Sequence, residues 1–322
     1  MKPYAIGIDV GGSKIAAGVV DQQAHIVARY NTKEHAGRPP EQVIESIEQA
    51  YRALLESAQI GTQDIEGVGL GFAGHVHGTA GMVLTSSNLP EWNNVPLRDI
   101  VSQRLNVPVI LENDTKVCAL AEYLYGAGRG AKNMCYVTIS TGYGLGIIID
   151  GKLYLGNTGT SGEIGHTVVE VNGAPCPCGK RGCLIAYASG MGLARMAREK
   201  IASGAQTLLR EMSGGDPERL TGELITEAAR RGDSLAKELI NTAGYYAGVG
   251  LSTVVQVVNP ELLVVGGGLT RIGPMFMEPC MRGLKENIHP VLWDSVRVVP
   301  WQLGEDGGII GAAAKVFQQA AE

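Results

Sequence analysis

Tyr4-Ala5-Ile6-Gly7-Ile8-Asp9-Val10-Gly11-Gly12-Ser13-Lys14-Ile15-Ala16-Ala17-Gly18-Val19-Val20-Asp21 is the stretch whose reading decides the fold. An apolar run ends in an acid, turns on two glycines, and returns as a second apolar run. Unbroken apolar runs of this length, bounded by glycine, read as buried strands. A second stretch repeats the scheme: Met134 to Ser140, the turn Thr141-Gly142-Tyr143-Gly144, then Leu145 to Asp150, followed by Gly151-Lys152 and Leu153 to Leu155. Two halves with one glycine turn apiece predict a duplicated α/β fold with a cleft between the halves.

The rest of the chain fits that scheme. His25 to Arg29, Ile65 to Gly71, Val107 to Leu111 and Leu262 to Val265 read as further strands. Glu41 to Ala58 reads as a helix, because Val43, Ile44, Ile47, Ala50, Tyr51, Leu54, Leu55 and Ala58 form one apolar stripe. Helices are also predicted over Arg98 to Leu105, Thr115 to Leu124, Met191 to Ala202, Leu220 to Arg231, Leu235 to Val257 and Ile309 to Gln319. No linker separates the halves, so the boundary rests on the duplication.

Composition narrows the function classes. The chain has 322 residues, enough to bury a core without disulfides. Its net charge is −5, the wrong sign for a broad nucleic-acid surface. No apolar run is long enough for a membrane helix, and an acid at position 9 interrupts any signal-peptide core. The expectation is a cytoplasmic protein with its six cysteines as thiols or metal ligands.

Three glycine turns carry the first chemical signal. Gly11-Gly12 with Lys14, Thr141-Gly142, and Gly266-Gly267-Gly268 each follow an apolar strand. Backbone amides in such turns can close around phosphate oxygens, and Asp9 can hold Mg²⁺. Each turn alone also reads as a tight connection. Glu112-Asn113-Asp114-Thr115 opens a helix at the end of a strand. Taken alone it favours a cap, since Asn and Asp are preferred there. Its second reading makes Asp114 a general base and Asn113 a substrate contact.

Cysteine spacing carries the most specific signal. Glu163-Ile164-Gly165-His166 precedes Cys176-Pro177-Cys178-Gly179-Lys180-Arg181-Gly182-Cys183. His166 with Cys176, Cys178 and Cys183 makes four ligands for a closed tetrahedral zinc site, structural rather than catalytic. Cys118, Cys135 and Cys280 sit in apolar surroundings and read as core. His25, His35, His75, His77 and His289 lack such company and read as solvated.

Together these motifs resemble the ROK family of sugar kinases and sugar-responsive repressors, over essentially the whole chain. The resemblance implies an actin-like ATPase fold of the RNase H type. It implies a smaller domain over residues 1–120, a larger one with the zinc loop over 121–304, and a last helix at about 305–322 packing back on the first. It implies ATP-dependent phosphorylation of a hexose, glucose first and N-acetylmannosamine or N-acetylglucosamine next. Asp114 matches the catalytic base; Asn113, Glu163 and His166 match sugar contacts. Gly11, Gly12, Lys14, Thr141, Gly142, Gly266, Gly267 and Gly268 match ATP-binding positions, and Asp9 the acid near Mg²⁺. Cys176, Cys178, Cys183 and His166 match zinc ligands, and a homodimer or homotetramer is implied. The family's repressors carry a helix-turn-helix ahead of the first glycine turn, for which nine residues leave no room.

One position departs from the family pattern. Gly182-Cys183-Leu184-Ile185 places Ile185 where family kinases carry a sugar-binding Glu. Isoleucine accepts no hydrogen bond, so a charge-assisted contact worth about 1.5–3 kcal/mol is missing. This leaves a sugar-binding protein with weakened catalysis as the third reading. Tyr143 and Leu145 are milder departures in a loop usually richer in small residues.

Overall fold

The computed structural model describes residues 1–12, 14–33, 38–86, 89 and 91–321; Ser13 of the first glycine turn and His35 lie outside the described residues. In chain order the strands are β1 (Tyr4–Val10), β2 (Ile15–Asp21), β3 (Ile26–Thr32), β4 (Ile65–Phe72), β5 (His75–His77), β6 (Met82–Thr85), β7 (Asn93–Val95), β8 (Val109–Asn113), β9 (Met134–Ile139), β10 (Tyr143–Ile149), β11 (Lys152–Leu153), β12 (Leu262–Gly266) and β13 (Arg297–Pro300). The helices are α1 (Pro40–Ala58), α2 (Leu97–Leu105), α3 (Asp114–Tyr125), α4 (Gly190–Ala202), α5 (Leu209–Met212), α6 (Gly222–Arg230), α7 (Ser234–Val258), α8 (Pro274–Asn287) and α9 (Gly307–Ala321).

Two compact units divide this chain. The first holds Met1–Tyr136, Gly146–Gly162 and Trp301–Glu322; the second holds Val137–Leu145 and Glu163–Pro300. The chain crosses from one unit to the other after Tyr136, Leu145, Gly162 and Pro300.

In the first unit a five-stranded sheet runs β3-β2-β1-β4-β8. β1 is antiparallel to β2, and β1, β4 and β8 are parallel to one another. Parallel strands are covered on both faces, which is why β1 and β4 read as continuous apolar runs. Their carboxyl ends bring Asp9, Phe72 and Asn113 to one edge, with Asp9 opposite Gly71 and Phe72 opposite Asn113. That edge is where α/β sheets bind ligands.

One face of the sheet takes α1, whose Val43, Ile44, Ile47, Ala50 and Leu54 are buried with Ile6, Ile8 and Val68. α9 lies on β1 and β4. Gly7 and Gly69 pair across those strands and let the helix backbone touch them. A Cβ on either would stand 1.9 Å from a helix carbonyl oxygen, of Ile309 or Ala312. On its other side α9 meets α3 as closely: a Cβ on Gly311 would stand 1.8 Å from the Val117 carbonyl oxygen.

The second sheet runs β11-β10-β9-β12-β13, with β12 and β13 parallel. In the second unit α7 packs on α8. Gly248 of α7 meets the Cys280 carbonyl so closely that a Cβ would stand 2.0 Å away. Cys135 and Cys280 are core residues, and Cys118 is half-buried.

Several elements differ from the sequence expectation. β8 begins at Val109 and runs through Asn113, because Asn113 still pairs with Phe72. His75 and His77, expected in solvated loops, lie half-buried on β5 of a small sheet ordered β5-β6-β7. β11 stops at Leu153 rather than Leu155. No helix among the described residues is long and apolar enough to cross a membrane.

Candidate functional site

The first unit assembles two carboxylates. Asp9 ends β1, and Asp114 opens α3 directly after β8. Both are half-buried. Glycine makes room for them: a Cβ on Gly308 would stand 2.6 Å from Asp9 Oδ2, and one on Gly71 3.7 Å from the Asp114 Cα. Burial, and then the Asp114 charge, push the Asp9 carboxyl up to about 7, with Lys14 opposing. Asp114 Oδ1 accepts the Thr115 amide at 2.7 Å, at a helix start that favours negative charge.

The cap reading of Asn113-Asp114 is seen directly. Asn113 caps α3, its Oδ1 accepting the Lys116 amide at 3.2 Å while its Nδ2 donates to the Gly74 carbonyl at 3.0 Å. That leaves Asp114, the first helical residue, as the candidate base. In the first glycine turn the Gly11 amide donates to the Lys14 carbonyl at 3.0 Å. The Lys14 ammonium reaches Glu305 Oε2 at 2.8 Å across an exposed surface.

The second unit holds a cavity of about 480 Å³. Thr141 and Gly268, two of the expected nucleotide positions, line it together with Gly190, Thr221, Glu223 and Arg230. Two helix starts converge there. Ser189 caps α4 through the Gly192 amide at 3.1 Å, and Thr221 caps α6 through the Leu224 amide at 3.2 Å. Helix starts present free amides to anions, and this volume suits a nucleotide. Ser-Gly and Thr-Gly at the two caps were the sequence signal for these residues. Gly267, at φ +96°, turns the chain after β12, and a Cβ there would stand 2.5 Å from the Ile139 carbonyl oxygen. Gly142 lies outside the cavity lining; a Cβ on it would stand 3.7 Å from Ile185 Cδ1. Tyr143 is a buried strand residue rather than a loop one: it opens β10 and its hydroxyl donates to the Ala247 carbonyl at 2.9 Å.

The four metal-ligand candidates come together. The ligand atoms of His166, Cys176, Cys178 and Cys183 all lie within 4.8 Å of one another. Cys176 Sγ is 3.6 Å from His166 Nδ1, and Cys178 Sγ is 3.8 Å from Cys183 Sγ. A tetrahedral ion bonded at about 2.3 Å to sulfur and about 2.0–2.1 Å to nitrogen would set those edges at about 3.6 and 3.8 Å. The donor set and both edges therefore fit zinc. Gly182, at φ +75°, is irreplaceable in this loop, since a Cβ would stand 1.7 Å from the Glu170 carbonyl oxygen. Burial, and then the neighbouring thiols, push Cys183 up to about 12. Burial also raises Cys178, but the Lys180 amide and the adjacent thiols outweigh it and leave that thiol below its ordinary value.

Glu163 is exposed and starts the short turn that carries His166. Ile185 lies against that turn: a Cβ on Gly165 would stand 3.5 Å from Ile185 Cβ. Ile185 also lines a second cavity of about 320 Å³ with Pro175, Cys176, Pro177, Met191 and Arg195.

Strand-end carboxylates, glycine turns and the Cys/His loop on this mixed sheet-and-helix architecture define an actin-like ATPase fold. The chain belongs to the ROK family, whose model matches residues 5–319. It is 35% identical over 311 residues to a glucokinase of Streptomyces coelicolor, covering 96% of each chain. It is 33% identical over 314 residues to a glucokinase of Thermotoga maritima, covering 98% of this chain and 97% of that one. Among solved structures it resembles a ROK family glucokinase from Streptomyces griseus, in complex with glucose and AMPPNP, with a TM-score of 0.85 and 35% identity over 98% of this chain and 99% of that one.

Proposed function

We propose that the chain is an ATP-dependent sugar kinase that converts glucose to glucose 6-phosphate. The observation that supports it most is the Asp114 carboxylate, seated at the start of α3 beside a second carboxylate whose proton is held to about 7. Phosphoryl transfer needs little covalent help from a protein; it needs a placed hydroxyl, a base and neutralised phosphate charge. Asp114 takes the proton of the sugar's 6-hydroxyl as that oxygen attacks the γ-phosphorus, whose bond to the β–γ bridging oxygen breaks so that ADP leaves. Asn113, Glu163 and His166 are assigned to the sugar. Gly11, Gly12, Lys14, Thr141, Gly142, Gly266, Gly267 and Gly268 are assigned to the nucleotide.

Mg²⁺, bound near Asp9 with the nucleotide, would neutralise phosphate charge. The zinc-fitting set of His166, Cys176, Cys178 and Cys183 leaves no ligand position for water, so its role is to brace the loop. His166 Nδ1 faces Cys176, and Nε2 is the nitrogen assigned to the sugar. The protein is further proposed to work in the cytoplasm as a homodimer or homotetramer.

The test is ADP release with ATP and Mg²⁺ across glucose, N-acetylmannosamine, N-acetylglucosamine, mannose, fructose and allose. Turnover on glucose that collapses in Asp114→Asn supports the reading; no turnover on any sugar overturns it. The second reading rests on Ile185 and the cavity beside it. Preference for an N-acetylated sugar over glucose would favour that reading. Sugar binding without turnover would favour a binding protein with weakened catalysis.

A further inference from the structure

Lys116 follows Asp114 by two residues, in the first turn of α3, and only 2% of it is exposed. Lysine is rarely this buried, because its long stem can usually carry the ammonium to water. Here the ammonium donates to the main-chain carbonyl of Gly159. Gly159 is the buried point of a stretch whose Gly156, Asn157 and Thr158 are exposed. It stands at φ +79°, and a Cβ on it would lie 3.4 Å from the Val76 carbonyl oxygen of β5. Its back is therefore against β5 and its carbonyl toward Lys116. Gly156 and Gly162 are also left-handed, at φ +72° and +88°.

Glu112 precedes Asp114 by two residues and is equally buried at 2%. It accepts the Asn113 amide at 2.9 Å. Burial pushes its carboxyl up, and the Asn113 amide and the Lys116 charge draw it back. Two buried charges thus bracket Asn113 and Asp114, and one of them reaches the loop. Burying an ion is costly unless it is paired and hydrogen-bonded, so a neutral, solvated residue would be the simpler choice for helix stability alone.

We infer that Lys116 is a positioning residue for the phosphoryl acceptor: it pins the Gly156–Gly162 loop to the helical turn that carries Asp114, making the loop and the base one rigid acceptor-binding surface. This rests on the sugar-kinase reading. Preorganisation of this kind improves binding without a new contact.

Lys116→Met in the full chain is expected to raise the sugar KM at least tenfold and leave the ATP KM within twofold. Lys116→Arg, which keeps the charge, is expected to bring the sugar KM within threefold of wild type. Gly159→Ala displaces the same loop without touching the charge and is expected to raise the sugar KM as Lys116→Met does. An unchanged sugar KM in both the Met and Ala variants, or a fall in kcat alone, overturns the role. Hydrogen exchange without substrate tests the tether separately: amides of residues 156–162 exchange faster in Lys116→Met and recover in Lys116→Arg. Equal exchange in all three proteins overturns the tether. A wild-type protein that turns over no sugar defeats the kinase reading, and the acceptor role with it, whatever the exchange result.

Discussion

Replacing Asp114 with Asn separates chemistry from stability at one atom. The amide keeps an Oδ1 to accept the Thr115 amide, now 2.7 Å away, so α3 keeps its start. The base is lost, which lowers kcat by about 10²- to 10⁴-fold. Stability moves in a pH-dependent way. The Asp9 carboxyl is raised from 3.8 to about 7, first by burial and then by Asp114. A raised pKa means that its stabilising contribution is whole below about 3.8, falls as the pH climbs, and is gone above about 7. Each pKa unit is about 1.4 kcal/mol, so the full loss is about 4 kcal/mol. Asp114 is the second cause, and removing it returns part of that loss at pH 8. At pH 5.5 Asp9 is protonated in the fold, the repulsion is absent, and the return vanishes. The helix-start charge lost in the variant costs about 0.3–1 kcal/mol at both pH values. Urea unfolding at pH 5.5 and 8.0, without metal or nucleotide, reads the difference. Equal stability changes at the two pH values refute the coupling of the two carboxylates. A kcat within tenfold of wild type refutes Asp114 as the base.

Four further substitutions divide the remaining claims. Ile185→Glu restores an acceptor and lowers the glucose KM by about tenfold to hundredfold, as a contact of 1.5–3 kcal/mol requires; an unchanged KM in steady-state assays would remove Ile185 from the sugar site. Cys183→Ala, or a strong chelator, lowers the melting temperature and removes one bound zinc per chain by elemental analysis. Because the thiols must lose protons, zinc uptake weakens as the pH falls, and a pH-independent affinity would count against thiolate ligation. Gly69→Ala forces a Cβ to 1.9 Å from the Ala312 carbonyl oxygen and costs at least about 1–3 kcal/mol, read as a lower urea midpoint. Gly142→Ala meets only ordinary contact at 3.7 Å, so it keeps the midpoint and raises the ATP KM.

The sequence by itself determined the elements whose signal is local. β1, β2 and β4 are apolar runs between glycines, and α1 is a stripe at helical spacing, so their periods show directly. The Cys-x-Cys loop was legible because its four candidate ligands all fall between His166 and Cys183 along the chain. β5 to β7 were not legible, being too short for alternation to register. α8 was hidden by Pro279 and Gly283, which break its stripe yet suit its contact with α7. Only the tertiary structure decided the rest, since each case depends on residues far apart in sequence. The seat of α9 on Gly7 and Gly69, the meeting of Asp9 with Asp114, and the convergence of the α4 and α6 caps on one cavity are all of that kind. The burial of Lys116 is another: composition predicts a solvated lysine, and only the fold brings a carbonyl from 43 residues away to hold its charge out of water.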